Sequence, residues 1–273
     1  MTDPEALLRE GRLEECLAAL TDQVRKKPGD SALRAFLFQL LCVMGRWDRA
    51  IQQGDALAEM DPQAIMMARV YQQAAQAEKF RAAGVAGQRS PLIMGEPEPW
   101  IGKLIQAMVH EAQGQTDAGA ALRDEAFAEA PATAGTIEVG QSKDKTESHA
   151  FEWIADADQR LGPMFEVILE GKYYWAPWAR VETVEFEPPT TLRDAVWTQA
   201  NFKWTNGGSA AGLIPVRYPG SEDPARDASL RMARKTEFVD DPPAVFGQRL
   251  FATDAGEFGL LDTRRITLGA GHG

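Results

Sequence analysis

A glycine followed seventeen residues later by a proline recurs in the first half of the chain. The three pairs are Gly11 with Pro28, Gly45 with Pro62, and Gly114 with Pro131. The first two glycines are 34 residues apart, and the third lies 69 residues after the second, which is two periods plus one residue. This period indicates stacked pairs of antiparallel helices, with the glycine in the tight turn and the proline ending the second helix.

A small residue five positions after each glycine supports this prediction. These residues are Cys16, Ala50 and Gly119, and their size lets the two helices approach closely. The glycine, small-residue and proline positions resemble those of the tetratricopeptide family, although the Trp and Tyr that this family prefers in its first helices are absent. Since one hairpin cannot bury its apolar face alone, stacked units are expected. We predict tetratricopeptide-like repeats over residues 1–131, as roughly four hairpins.

The third of these hairpins is expected to be degenerate. Residues 63–96 have a helical pattern at first but lack the glycine and the proline of the other units. Further on, Pro91, Pro97 and Pro99 prevent a regular helix. This stretch therefore predicts a loop or a broken helix.

The pattern changes after residue 131. Small and polar residues dominate 132–150, which predicts a linker with at most one short strand, at 135–139. From 151 to 268 the chain consists of short aromatic and β-branched stretches broken by Gly, Pro and Asp, and 269–273 forms a tail. The predicted fold class is α+β, in which an all-α repeat array is followed by a separable, compact, mainly antiparallel β domain.

The charge of the chain narrows the classes of partner. It carries 29 Lys and Arg against 40 Asp and Glu, a formal net charge of -11. Such a chain disfavours nucleic acid and anionic membranes and favours neutral or basic protein partners. No apolar run approaches the roughly 20 residues that span a bilayer, and the acidic start lacks the order of a secretory signal. We expect a cytoplasmic protein with no membrane partner.

Metal and thiol chemistry have little support in the sequence. The two cysteines, Cys16 and Cys42, lie in apolar helical stretches and are expected to be buried free thiols. His110, His149 and His272 have no second ligand at helical spacing. We predict no metal site and no cofactor.

The stretch 151–178 crowds carboxylates among aromatic residues, as an active site can do. A carboxylate hydrolase using Asp156 and Asp158 would need an open cleft with two carboxylates about 5 to 9.5 Å apart. Aspartates before a turn more commonly accept hydrogen bonds from backbone amides or pair with an arginine, and we favour that interpretation. The tryptophans are expected in the core, with Trp175 or Trp178 as an alternative partner contact if exposed.

The glycine-rich segment 206–212 invites another enzymatic interpretation. It lacks the Gly-Lys-Ser/Thr ending of a phosphate-binding loop and no helix follows, so it predicts a loop between strands. Ser209 and Ser221 have no histidine in a supporting motif, which leaves a serine nucleophile equally unsupported. We predict no catalytic residues.

Long blocks of the second half resemble one known family. The first is FEWIADADQRLGPMFEVILEGKYYWAPW, and EPPTTLRDAVW, RYPGSE and GQRLFATDAGEFGLLDTRRITL follow. In these blocks and their order the chain resembles the ImpE-type family, also called the SciE- or TagJ-type accessory proteins of type VI secretion. The likeness extends over nearly the whole chain, including the helical half.

The resemblance implies a non-enzymatic, cytoplasmic accessory protein of this contractile injection machine. It further implies association with a helix of the small sheath subunit and with the ATPase that disassembles contracted sheath, and it offers no catalytic residues. The residues alone also allow a general tetratricopeptide adaptor outside secretion, or the carboxylate hydrolase.

The repeat register suggests where a partner helix would bind. It places Gln39, Arg69, Gln73, Leu104 and Met108 on the inner face of the array. Apolar anchors mixed with hydrogen-bonding groups suit an amphipathic helix. For Leu104 and Met108, packing between neighbouring helices is an equally good interpretation.

Overall fold

The computed structural model describes residues 3–60, 65–240 and 243–269. Its helices are α1 Pro4–Arg9, α2 Leu13–Lys26, α3 Ser31–Val43, α4 Trp47–Met60, α5 Ile65–Val85, α6 Pro99–Ala112, α7 Thr116–Glu129 and α8 Ala228–Arg231. Its strands are β1 Leu92–Ile93, β2 Gly135–Ser142, β3 Lys145–Phe151, β4 Ile154–Asp156, β5 Met164–Leu169, β6 Lys172–Pro177, β7 Val181–Phe186, β8 Trp197–Trp204, β9 Ser209–Pro215, β10 Thr236–Asp240, β11 Pro243–Gly247, β12 Leu250–Thr253, β13 Gly256–Gly259 and β14 Thr263–Leu268. Short 3-10 helices lie at 178–180 and 192–195.

Three helical hairpins, α1–α2, α3–α4 and α6–α7, confirm the predicted repeat geometry. Each turns at a glycine in the left-handed backbone region: Gly11 at φ +76°, Gly45 at +64° and Gly114 at +78°. At Gly119, an added Cβ would lie 2.5 Å from the Glu111 side chain of the facing helix. Pro62 lies outside the described residues, as do 270–273 of the predicted tail.

The third unit is a single helix, so the prediction of a degenerate hairpin there is wrong. Helix α5 runs for 21 residues, and its one glycine, Gly84, lies in the last turn, too late to divide it into two helices. The segment that follows, predicted as a loop or a broken helix, contains β1, which pairs with β6 in parallel. Helix α6 then begins at Pro99, a position where the missing N–H of proline has no consequence.

The second half is built on a nine-stranded sheet in the order β1-β6-β5-β9-β8-β7-β14-β2-β3. Every pair in it is antiparallel except β1 with β6, which confirms the predicted mainly antiparallel class. A three-stranded sheet, β13-β12-β4, and the two-stranded ribbon β10-β11 accompany it. The glycine-rich segment 206–212 contains the β8–β9 turn, as predicted, with Gly207 at φ +83°.

The predicted linker at 132–150 is wrong, because most of it forms β2 and β3 of the large sheet. Strand β2 pairs with both β14 and β3, and it includes the short strand expected at 135–139. Strand β3 lies at the sheet edge with mostly exposed side chains, so its sequence KTESHA has no need of apolar residues. Charged residues also protect a free edge from unwanted pairing, which explains why the composition resembles a linker.

The large sheet is buried on both faces along β5. Met164 and Ile168 belong to a core shared with the helices, whereas Phe165, Val167 and Leu169 belong to a second core on the opposite face. This alternation follows from the two-residue period of a strand. The helical array therefore packs directly onto the sheet rather than being connected to it by a flexible segment.

Candidate functional site

The sheet covers one face of α3 and α5. Helix α3 contacts the 192–195 turn, and α5 contacts β6. The Trp197 ring of β8 lies 5.8 Å from the Trp47 ring and 5.9 Å from the Tyr71 ring, between centroids. This covered face is therefore occupied by the chain itself and is closed to a partner.

A buried ionic network joins α5 to the sheet. Arg81 donates two hydrogen bonds to Glu166, from Nε to Oε1 at 2.7 Å and from Nη2 to Oε2 at 2.6 Å. Its Nη1 lies 3.2 Å from an oxygen of Glu78, and the other Glu78 oxygen accepts from Trp197 Nε1 at 2.9 Å. All three charged residues are at least 92% buried, so their hydrogen bonds to one another replace the hydrogen bonds to water that they lose on folding.

Arg249 extends the network through the sheet. Its guanidinium donates to both Glu166 and Asp156, and its Nε donates to the Pro215 carbonyl at 2.9 Å. Burial alone would raise the pKa of Glu166, but Arg81 and Arg249 outweigh it and lower that pKa to about 2. Burial raises the pKa of Asp156 to about 6, against the opposing effect of Arg249.

A second buried arginine caps the end of α3. Arg217 Nη1 donates to the Val43 carbonyl at 2.6 Å, Nη2 donates to the Cys42 carbonyl at 3.3 Å, and Nη1 also reaches the Arg231 carbonyl. The last carbonyls of a helix have no partner within the helix. Arg217 thus fixes the sheet to the helical array through the backbone itself.

The two aspartates of the hydrolase interpretation serve the fold instead. Asp156 accepts from the Asp158 amide at 2.8 Å and pairs with Arg249. Asp158 accepts from the Arg160 amide at 3.0 Å and pairs with its guanidinium at 2.5 Å. The predicted roles as amide acceptors and arginine partners are confirmed. Both residues are at most 4% exposed, and both carboxylates are already paired with arginines.

Four of the seven predicted partner-binding residues are buried. Leu104, Met108 and Trp175 pack in the core shared by helices and sheet, and Trp178 packs in the second core against Phe165. Packing between helices is thus confirmed for Leu104 and Met108. Trp175 donates to Tyr173 and so joins the ionic network. The core positions expected for the tryptophans are thus confirmed for Trp175 and Trp178.

Arg69 and Gln73 remain on the surface, together on one face of α5. Met66 and Val70 lie beside them with 72% and 44% exposure, and we call these four residues the α5 face. Their spacing of three and four residues places them in one stripe. The same spacing in the sequence could have revealed Met66 and Val70, which our sequence analysis missed. Gln39 is separate, half-buried on α3.

The α5 face ends at the sheet. The position of a Cβ on Gly171, in the β5–β6 turn, lies 2.9 Å from the Gln73 side chain. Beyond it, Phe80 packs against Tyr173 with ring centroids 6.1 Å apart. One side of α5 is therefore exposed along the first half of the helix and buried along the second half.

Within residues 3–60, 65–240 and 243–269, no group of three or more His, Cys, Asp and Glu side chains is arranged to hold a metal ion. None of the helices that the structure describes is long and apolar enough to cross a membrane. Cys16 and Cys42 are buried free thiols, as predicted, and burial raises the pKa of Cys16 to about 11.

The chain is similar to known proteins along its length. Residues 148–267 match the ImpE protein family model, and residues 7–74 match a tetratricopeptide repeat model. The chain is 44% identical over 262 residues to the type VI secretion system accessory component TagJ of Pseudomonas aeruginosa. The alignment covers 96% of this chain and 89% of that protein. The crystal structure of VPA1032 from Vibrio parahaemolyticus shares the fold, with a TM-score of 0.82, 22% identity, and coverage of 98% of this chain and 97% of that one.

Proposed function

The chain belongs to the ImpE family of type VI secretion accessory proteins, and from this we propose that it is a non-catalytic adaptor of that system. It binds a helix of the small sheath subunit and links the sheath to the ATPase that disassembles it. It works in the cytoplasm without a cofactor.

The α5 face is the observation that carries this proposal. Two exposed apolar side chains, Met66 and Val70, stand on a helix beside an arginine and a glutamine. An amphipathic partner helix recognises its groove through apolar anchors at every third or fourth residue, with polar groups at the edge. The α5 face offers this combination, and it includes Arg69 and Gln73 of the predicted inner face, whereas Leu104 and Met108 are buried.

The rigid mounting of α5 suits such a role. Its second half is fixed to the sheet by Arg81 and Glu166, so the exposed first half is presented without a large loss of conformational freedom on binding. Asp156 and Asp158, the carboxylates of the hydrolase interpretation, are paired with Arg249 and Arg160. The buried carboxylates therefore support the adaptor interpretation over the hydrolase.

Two substitutions that place negative charge on the α5 face test the proposal. Arg69→Glu together with Val70→Asp should weaken binding of a synthetic peptide of the sheath-subunit helix by at least about 2 kcal/mol, or roughly 30-fold in Kd. Isothermal titration calorimetry gives the affinity, and circular dichroism checks the fold. Because Met108 is buried, it is unsuitable for this test.

Arg49→Glu is the control for reversing an arginine charge elsewhere on the surface. Arg49 is an exposed arginine on α4, and reversing its charge should leave the affinity unchanged. Unchanged affinity in the folded α5 variant would move the binding site to another surface. A wild-type protein that fails to bind the peptide would refute the sheath-helix proposal itself.

A further inference from the structure

A cleft of about 950 Å³ lies far from the α5 face, between the helical array and the β domain. Its walls are the α6–α7 hairpin, the turn after β4 and the β10–β11 ribbon. Val85, the last residue of α5, also lines it. The nearest residue of the α5 face, Gln73, lies 12 residues earlier on that helix, about 18 Å away at 1.5 Å per residue. A molecule in the cleft would therefore leave the α5 face free.

Two exposed phenylalanines line the cleft. Phe127 of α7 is 36% exposed and rests on Gly162, where an added Cβ would lie 2.3 Å from its ring. Phe238 of β10 is 51% exposed, although it is a large apolar side chain. Most large apolar side chains of this protein are buried, so two exposed rings lining one cleft indicate an incomplete apolar surface.

The cleft also carries unneutralised negative charge. Six carboxylates and two arginines line it, a formal net charge of -4. Both arginines already pair with lining carboxylates, Arg123 with Glu111 and Arg160 with Asp158, and Asp156 pairs with Arg249. The other three carboxylates are exposed and form no salt bridge within the described residues: Asp117, Asp240 and Glu257.

The ribbon that carries Phe238 is anchored at one end. At its base, the Cβ position of Gly247 lies 2.8 Å from the Leu230 side chain of α8. In the described part of the chain, β10 and β11 pair only with each other. A two-stranded ribbon is marginally stable by itself, so a partner that covered Phe238 would also stabilise the ribbon.

We propose that this cleft binds a basic and apolar segment of a partner protein, in which a large apolar side chain lies between Lys or Arg residues. The apolar side chain packs between Phe127 and Phe238, and the cations approach the three unpaired carboxylates. Nucleic acids and phosphorylated peptides are disfavoured because they would add negative charge to a site that already has it.

A fluorescein-labelled amphipathic peptide of Lys, Leu and one Trp serves as the probe, and the same peptide with Glu in place of Lys is its control. The full-length protein should bind the basic peptide, more weakly as salt rises, and should not bind the acidic one. Fluorescence anisotropy should show at least a tenfold loss of affinity in Phe238→Ser. The triple variant Asp117→Lys, Asp240→Lys, Glu257→Lys should also lose affinity for the basic peptide by at least tenfold.

A variant with the same charge change outside the cleft distinguishes binding in the cleft from non-specific attraction of a basic peptide to an acidic protein. Glu59→Lys, Asp144→Lys and Glu152→Lys change three exposed carboxylates outside the cleft by the same total charge. This variant and Arg69→Glu with Val70→Asp should keep the wild-type affinity.

Equal weakening by both triple variants, or no binding of the basic peptide, would overturn the proposal. So would sedimentation velocity that shows self-association abolished by Phe238→Ser, because a second copy would then occupy the cleft. None of these results depends on the sheath-subunit peptide, whose titration tests the proposed function separately.

Discussion

A carboxylate in the middle of a fully buried strand is the residue that holds the two halves together. Every residue of β5, MFEVIL, is buried, and Glu166 takes the side of the strand that faces the helices. It is paired with Arg81 from α5 and with Arg249 from the sheet. Removing one partner of such a buried group leaves the other charges uncompensated, which is more costly than losing a surface pair.

Replacement of this carboxylate should destabilise the fold in a pH-dependent way. A pKa of about 2 instead of 4.5 corresponds to about 3 kcal/mol in favour of the ionised form. Because the folded-state pKa lies below the unfolded value, this contribution is present above about pH 4.5 and is lost as the pH falls toward 2. Glu166→Gln should therefore lower the free energy of unfolding by about 3 kcal/mol at pH 7, and by less at pH 3.

Urea denaturation at both pH values measures this difference. Glu152→Gln, at an exposed carboxylate between β3 and β4, should change the free energy of unfolding by less than about 0.5 kcal/mol. A loss in Glu166→Gln that is equally small, or that does not depend on pH, would show that the network contributes little to stability.

At the scale of elements, the helices are fixed to the sheet at their ends as well as along their sides. Helix α3 ends at Val43, and the carbonyls of Cys42 and Val43 accept from Arg217 instead of from water. Sequence repeats determine where the helix turns, but this cap comes from a residue more than 170 positions away.

Arg217→Met should lower the free energy of unfolding by about 3 kcal/mol, since it removes the arginine that donates to the Val43 and Arg231 carbonyls. The last turn of α3 should also lose hydrogen-exchange protection before α2 does. Arg265→Met is the control, because Arg265 forms exposed pairs with Glu138 and Glu185 and should contribute at most about 1 kcal/mol. Equal effects of the two substitutions would argue against a capping role.

At the scale of the molecule, the core between helices and sheet is continuous. Residues as distant as Leu40, Tyr71, Trp175 and Trp197 belong to the same cluster. Separation of the halves would expose these side chains to water, at about 25 cal/mol for each Å² of apolar surface. The separable domains expected from the sequence would therefore lose much of their stability if divided.

Unfolding should accordingly be a single transition. Far-UV circular dichroism, dominated by the helices, and tryptophan fluorescence, dominated by the β domain, should give the same urea midpoint. Two distinct midpoints would contradict a shared core. So would limited proteolysis that cuts within 132–150 and leaves two stable fragments.

The sequence by itself determined the features that depend on local chemistry. Gly11, Gly45 and Gly114 mark the hairpin turns because only glycine enters the left-handed region without strain. The position of Asp156 and Asp158 just before a turn predicted that their side chains accept hydrogen bonds from backbone amides. Alternation and turn residues predicted the antiparallel sheet, and long blocks in fixed order identified the family.

Only the tertiary structure decided which surfaces are free. The sheet covers the face of α3 and α5 that turns toward it, and it includes β3, an edge strand whose polar sequence resembled a linker. Each outcome depends on which distant element packs against a residue, and a local pattern does not contain that information. Arg69 stayed exposed and Met108 became core for this reason, although the repeat register gave both the same role.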